Sequence, residues 1–302
     1  MDKKKILIIV NPRSGRIVAS RLAFNYGNQF RDTDYEAFIR MTTGRGDATS
    51  VAKRLADKFD VIMCRGGDGT LSETISGVLA SGIDVPVGCI PGGTTNDFAK
   101  SNGIPLKSKD AIDLVLTSEP VPQDVGTFGD DRYFIYTASF GVFTKASYAT
   151  PQSIKNRFGY ISYLVGGASE LTNIKKIHAK VTCDGEEFED DYIFGSVTNS
   201  LAVGGGVFKF SKDMMSFDDG LFELVLVKMP KSIKELAEIG MCVKNRSYDE
   251  KYFTIIKGKE FTFDFGDKEI PWTLDGEFGG NTKSVELKCL EHAIKLYKPV
   301  ED

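Results

Sequence analysis

Four short apolar runs in the first hundred residues each stop at glycine, proline or a hydroxyl residue. Lys5–Val10 ends at Asn11-Pro12-Arg13-Ser14-Gly15, Tyr35–Arg40 at Met41-Thr42-Thr43-Gly44, Asp60–Cys64 at Arg65-Gly66-Gly67-Asp68-Gly69-Thr70, and Val85–Ile90 at Pro91-Gly92-Gly93-Thr94-Thr95-Asn96-Asp97. Helical periodicity follows the first three, over about Ile17–Phe30, Asp47–Ala56 and Thr70–Leu79, and returns over Ser108–Ser118. Continuous apolar runs bounded by turn residues predict buried parallel strands. Their alternation with helices predicts an α/β domain with an open, doubly wound, Rossmann-like parallel sheet. In such a sheet the C-terminal strand ends share one edge, so the loops 11–15, 43–46, 65–70 and 91–97 are expected to converge on one crevice.

After Asp124 the periodicity changes. Tyr133–Thr137, Ile177–Cys183, Tyr192–Thr198, Leu221–Lys228, Tyr252–Lys257 and Glu260–Phe265 are rich in Tyr, Phe, Val and Ile, and predict a mostly antiparallel β-sandwich. Hairpin turns are predicted at Asp184-Gly185 and Gly266-Asp267, and helices at Phe158–Leu171 and Ile233–Asn245. Glu119–Gln123 reads as a crossing segment. The expected domains are 1–123 and 124–289, as suits a chain of 302 residues.

Composition narrows the partners. The chain is 41% hydrophobic and 26% charged, with net charge -4, so nucleic acid is not expected as a partner. No apolar run reaches the 18 or so residues of a spanning helix, and Met1-Asp2-Lys3-Lys4-Lys5 leads directly into a strand. A cytoplasmic protein is expected, with a peripheral place at the inner membrane surface and a homodimer both left open. The five cysteines form no CxxC pair, and the two histidines, His178 and His292, are too few for a histidine metal site.

The candidate chemistry lies in the loops. Gly66–Thr70 between a strand and a helix start offers backbone N–H groups to phosphate. Asp68 is odd in a plain anion site and suggests magnesium and nucleotide together. Ser14 and Gly15 could also present amides, with Arg13 adding charge, while Asn96 and Asp97 either join the crevice or cap the next helix. Each glycine pair alone is equally a turn without a ligand. In the second half, Met214–Leu221 places Asp218 and Asp219 together, a cation site or a solvated turn. Asp275-Gly276-Glu277 would point both carboxylates one way if extended, forming a coupled pair suited to accepting a proton; a charged turn is the alternative.

Taken together, Asn11–Gly15, Gly66–Thr70 with Glu73, Pro91–Asp97, Asp219-Gly-Leu221 and Leu274–Glu277 resemble the diacylglycerol kinase catalytic-domain family, in particular its soluble bacterial lipid kinases, which are related to the sphingosine and ceramide kinases. The resemblance implies a nucleotide-binding α/β domain and a β-sandwich domain with ATP in the cleft between them, and a return of the final residues, Leu290–Tyr297 within 290–302, to the first domain. By matching motifs, Asn11, Pro12, Arg13, Ser14, Gly15, Thr43, Gly66, Gly67, Asp68, Gly69, Thr70, Thr94, Asn96 and Asp97 would serve ATP. Ser216, Asp219 and Leu221 would hold a structural Mg2+, linked to Asp68 through water. Glu277 would accept the proton, with Asp275 near it. The implied reaction is transfer of the γ-phosphoryl of ATP to a lipid hydroxyl at a membrane surface, most naturally diacylglycerol. Another lipid acceptor, a NAD kinase and an inactive nucleotide- or lipid-binding protein are the alternatives. There is no Walker sequence. Two departures stand out: Ser76-Gly77 replaces a common Asn-Gly, and Pro91-Gly92-Gly93 replaces a commoner Pro-x-Gly.

Overall fold

A computed structural model of the chain describes residues 3–14, 26–142, 174–204, 206–211 and 217–300. Gly15, Ser216, the expected helix at Phe158–Leu171 and most of the expected helix at Ile17–Phe30 lie outside the described residues. The last turn of the latter, Tyr26–Phe30, is helical. The chain divides into two compact units, Met1–Val125 with His292–Asp302, and Gly126–Glu291. Each boundary falls two residues beyond the one expected from the sequence.

In the first unit, strands β1 (Lys4–Val10), β2 (Tyr35–Met41), β3 (Val61–Gly66) and β4 (Val87–Pro91) are all parallel, in the spatial order β4-β3-β1-β2. Ile6, Ile8, Ile9 and Val10 are fully buried, so β1 is the sheet's centre, covered on both faces. Helices α1 (Asp47–Leu55), α2 (Asp68–Ser81), α3 (Asp97–Ser101) and α4 (Ser108–Thr117) connect or flank the strands. A Cβ on Gly77 would stand 2.4 Å from the Thr49 carbonyl oxygen and 2.7 Å from the Ala52 Cβ, so this glycine lets α1 and α2 touch. After β1 the chain adds β2 on one side and then returns to place β3 on the other. The reversal between β1 and β3 is where an open parallel sheet offers a crevice at its carboxyl edge.

The second unit is antiparallel. It contains the end of β5 (Val121–Phe128), then β6 (Arg132–Phe134), β7 (Thr137–Gly141), β8 (Ile177–Cys183), β9 (Glu186–Thr198), the short pair β10 (Ala202–Val203) and β11 (Phe208–Lys209), β12 (Phe222–Lys228), β13 (Phe253–Gly258), β14 (Glu260–Asp264), β15 (Ile270–Leu274), β16 (Glu277–Thr282) and most of β17 (Ser284–Leu296). Long β9 belongs to two layers: Glu186–Tyr192 pairs with β8, whereas Phe194–Thr198 lies between β7 and β12. The layers enclose a core centred on Trp272, which meets Phe128, Phe140 and Phe263 edge-on at 5.0–5.2 Å. Helix α5 (Ile233–Asn245) starts at Ser232, whose hydroxyl accepts the Glu235 N–H at 3.1 Å, and buries Leu236, Ile239 and Val243 on a second cluster with Phe194 and Phe208.

Two expectations need correction. The segment read as a crossing, Glu119–Gln123, already contains the start of strand β5, since a proline such as Pro122 is tolerated near a strand's beginning. Gly266-Asp267 is a turn but not a hairpin: β14 pairs with β8 and β17, and β15 with β7 and β16. The return of the chain's end to the first unit is direct, with Leu296 pairing Val87 in parallel and Lys298 Nζ donating to Gln123 Oε1 at 2.8 Å.

Candidate active site

At the carboxyl edge of the first unit's sheet, three loops are locked together. β3 runs on to Gly66 and α2 starts at Asp68, so the turn between them is tighter than the sequence suggested and the helix begins two residues earlier. Asn11 donates its N–H to the Arg65 carbonyl at 2.9 Å and its Nδ2 to Thr70 Oγ1 at 3.1 Å; its Oδ1 accepts the Arg13 N–H at 3.0 Å. Gly92 N–H donates to the Gly66 carbonyl at 2.7 Å. A Cβ on Gly93 would lie 2.5 Å from Gly67 Cα, so glycine is required where these two backbones meet. Thr70 and Leu71 both donate to the Gly67 carbonyl, at 3.0 and 3.2 Å. The first-turn amides of Asp68 and Gly69 have no acceptor among the described residues, which leaves them for an anion.

Asp68 has a different use from the one its place in a phosphate loop suggested. Its Oδ2 accepts the Asp97 N–H at 3.0 Å and the Thr95 hydroxyl at 3.3 Å, and its Oδ1 accepts the Phe98 N–H at 3.1 Å. The carboxylate therefore binds the start of α3 to the start of α2, helped by charge-assisted bonds. Asn96 does not cap α3 with its side chain. It is left-handed, φ 50°, and closes its own loop, with Oδ1 accepting the Gly93 N–H at 2.8 Å and Nδ2 donating to the Gly93 carbonyl at 3.0 Å. Thr94 is exposed on that loop, and Pro12 and Arg13 are exposed on theirs. Thr43 donates its N–H and hydroxyl to Asp47 Oδ2 at 2.7 and 3.0 Å; the backbone donor above all holds the Asp47 carboxyl below its usual pKa. Glu73 Oε1 accepts the Gly46 N–H at 2.8 Å, so the acid of the glycine motif braces the α1 start.

In the second unit, Asp275-Gly276 is not extended. Both have positive φ, 49° and 85°, and Leu274 pairs with Glu277 across them, which makes a two-residue hairpin turn of type I′ geometry. The alternation that would send both carboxylates one way is thus lost. Asp275, 4% exposed, accepts the N–H groups of Ile135, Tyr136 and Thr137 at 2.8, 3.0 and 3.2 Å. It organises the break between β6 and β7 and is not arranged as a proton-sharing partner of Glu277. Glu277 itself is exposed at the first position of β16.

The whole chain has relatives. Residues 5–128 match the family model described as diacylglycerol kinase catalytic domain, and residues 137–298 match the one described as YegS C-terminal NAD kinase beta sandwich-like domain. A diacylglycerol kinase of Bacillus subtilis (strain 168) is 31% identical over 300 residues, 99% of this chain and 97% of the relative. The chain belongs to the diacylglycerol kinase family. One from Staphylococcus aureus (strain JH9) is also 31% identical, over 98% of this chain and 93% of the relative. The fold is shared with a crystal structure of a diacylglycerol kinase from Bacillus anthracis str. Sterne, at a TM-score of 0.73 and 23% identity over 99% and 98% of the two chains. The protein is accordingly a kinase.

The resemblance implies magnesium near Asp219, whose described partners are a cation and an amide. Asp219 Oδ2 lies 2.7 Å from Lys257 Nζ, and its Oδ1 accepts the Leu221 N–H at 3.2 Å. An ammonium already faces the carboxylate, and no group of three acidic, His or Cys ligands occurs among the described residues. Ser216, the third residue that the resemblance assigns to that ion, lies outside the described residues. Lys257 was not singled out from the sequence; its place opposite Glu223 on the neighbouring strand is the register signal that could have found it. Thr95 and Arg65 were missed for a related reason: what a side chain at a loop faces is set by the loop beside it.

Proposed function

We propose that the chain transfers the γ-phosphoryl of ATP, taken up with Mg2+, to the free hydroxyl of diacylglycerol, giving phosphatidic acid and ADP. The observation that carries this reading is likeness over almost the entire chain to relatives named diacylglycerol kinase. The loop edge of the first unit suits the donor. Asn11–Gly15, Thr43, Gly66–Thr70, Thr94, Asn96 and Asp97 serve the nucleotide, with the free amides of Asp68 and Gly69 aimed at phosphate charge. Glu277 takes the proton of the lipid hydroxyl as its oxygen bonds to the γ-phosphorus and the bond to the β-phosphate oxygen breaks. Exposure of Glu277 leaves its carboxylate accessible to a substrate. Among the described residues no helix is long and apolar enough to cross a membrane, and in this reading the protein meets its lipid peripherally at a membrane surface.

A second acceptor has specific support, because the domain model matching residues 137–298 is described as NAD kinase-like. Transfer of labelled γ-phosphate to diacylglycerol in mixed micelles, with sphingosine and NAD as parallel acceptors and Glu277→Ala as control, separates the readings. Label in phosphatidic acid, lost in the variant, is expected. Label in NAD alone overturns the lipid acceptor.

A further inference from the structure

Arg65 is the one charged residue of β3, next to its last position, and no described acid forms an ion pair with it. Nε and Nη1 are buried and have no hydrogen-bond partner among the described residues, although the residue as a whole is only half-buried and so still reaches solvent. By alternation along β3 it shares a face with Val61 and Met63, whose cluster includes Tyr26 and Phe30. Tyr26 is its polar neighbour; burial raises the phenol's pKa, and the Arg65 guanidinium opposes the rise through its charge and a hydrogen-bonding contact too loose to satisfy either group. The nearby acid of the loop, Asp68, is turned to Asp97 and Phe98. Buried donors without an acceptor, such as these two nitrogens, are costly unless an anion completes them.

Its position says which anion. The Arg65 carbonyl holds the Asn11 N–H, and the guanidinium lies against Gly92. Gly92 has no positive φ, so its backbone does not need glycine. Space does: a Cβ there would stand 2.6 Å from Arg65 Nη1. The unusual glycine pair at 92 and 93 thus has two separate causes, backbone contact with Gly67 at Gly93 and room for the Arg65 head at Gly92.

We propose that Arg65 is a nucleotide-binding residue whose guanidinium takes phosphate oxygens of the donor, with Gly92 keeping room for that head. The inference rests on ATP being the donor. Guanidinium pairs with phosphate through several charge-assisted bonds, which a lysine reproduces only in part.

The test is calorimetric binding of ATP, ADP, adenosine and inorganic tripolyphosphate to the full chain and to Arg65→Met, Arg65→Lys, Gly92→Ala and the Arg65→Met/Gly92→Ala double variant, with melting curves as a folding control. Arg65→Met is expected to weaken ATP and tripolyphosphate by roughly tenfold or more and leave adenosine within about twofold, with Arg65→Lys between. Gly92→Ala displaces only the end of a flexible side chain, so it should fold, reproduce the loss, and add nothing in the double variant. Unchanged ATP binding in Arg65→Met, or equal losses there for ATP and adenosine, overturns the role of Arg65 while leaving ATP as donor. Absence of nucleotide binding by the unaltered chain overturns both.

Discussion

Asp68 in the first unit and Asp275 in the second occupy similar sequence settings, an acid beside glycine in a motif that invites a chemical reading. Both carboxylates instead accept backbone N–H groups from a distant stretch of chain, Asp68 from Asp97 and Phe98 and Asp275 from Ile135, Tyr136 and Thr137. The difference is burial: Asp68 is half-buried at a loop edge, Asp275 almost wholly inside. In each motif the acid fixes the scaffold, while the amides of Asp68 and Gly69 in one case and the carboxylate of Glu277 in the other have no hydrogen-bond partner among the described residues. An acid in a glycine motif is therefore evidence of a built place before it is evidence of a reacting group.

The largest expected effect separates Glu277 from its neighbour. Glu277→Ala should lower kcat by roughly a hundred- to ten-thousand-fold, as loss of a general base does, with an unchanged melting temperature; normal turnover would remove Glu277 from the chemistry. Asp275→Ala should instead act on stability, by at least about 3 kcal/mol, since three buried amides lose their acceptor at about 1 kcal/mol or more each. Urea unfolding of the second unit reads it, and a loss of activity with full stability would contradict the scaffold role. Asp68→Asn should cost only about 1 kcal/mol, because water can replace part of what is lost at a half-buried site, while ATP binds more weakly as the loops of Gly67 and Gly93 loosen. Equal stability losses for Asp68→Asn and Asp275→Ala would show that burial is not what distinguishes them.

A last effect, read as a slope with pH, concerns a third carboxylate, one held by no distant backbone amide. Glu223, 2% exposed, is pushed up to about 8 chiefly by burial, with Lys257 opposing, and neither of its oxygens has a hydrogen-bond partner among the described residues. The folded chain then holds this proton more tightly than the unfolded one, so the contribution of Glu223 to stability falls as pH rises from about 4.5 to about 8 and is level above. Glu223→Gln should remove that slope in melting experiments between those limits. An unchanged slope would mean that Glu223 does not titrate there.

Local pattern carried far into the fold. The runs at Ile177–Cys183 and Ile233–Asn245 are an observed strand and helix with those limits, because alternation and helical periodicity act within one segment. The Asp184-Gly185 turn follows from its dipeptide, with both residues at positive φ. The same Asp-Gly signal stands at 275–276, and reading that stretch as extended overlooked it. What escaped was set by partners far along the chain. Gly266-Asp267 is a good turn, yet which strands pair is decided by the sandwich, and the carboxylates of Asp68, Asp219 and Asp275 are each claimed by residues 27 to 140 positions away. In the site, residue types and loop positions were legible, while the direction in which each acid points was not.

The last strand gives the first unit an unusual dependence on synthesis. His292 N–H donates to Asp124 Oδ1 at 2.7 Å, and Tyr297 N–H to the Val87 carbonyl at 2.9 Å, so the sheet edge at β4 is closed by residues more than two hundred positions later. A ribosome delivers β1 to β4 early and their closing strand late. Until then β4 presents an open edge, the kind of surface on which nascent chains associate wrongly. Of the two units, the one translated earlier is therefore completed only after the other, and a premature stop after Glu291 would damage strands made long before it.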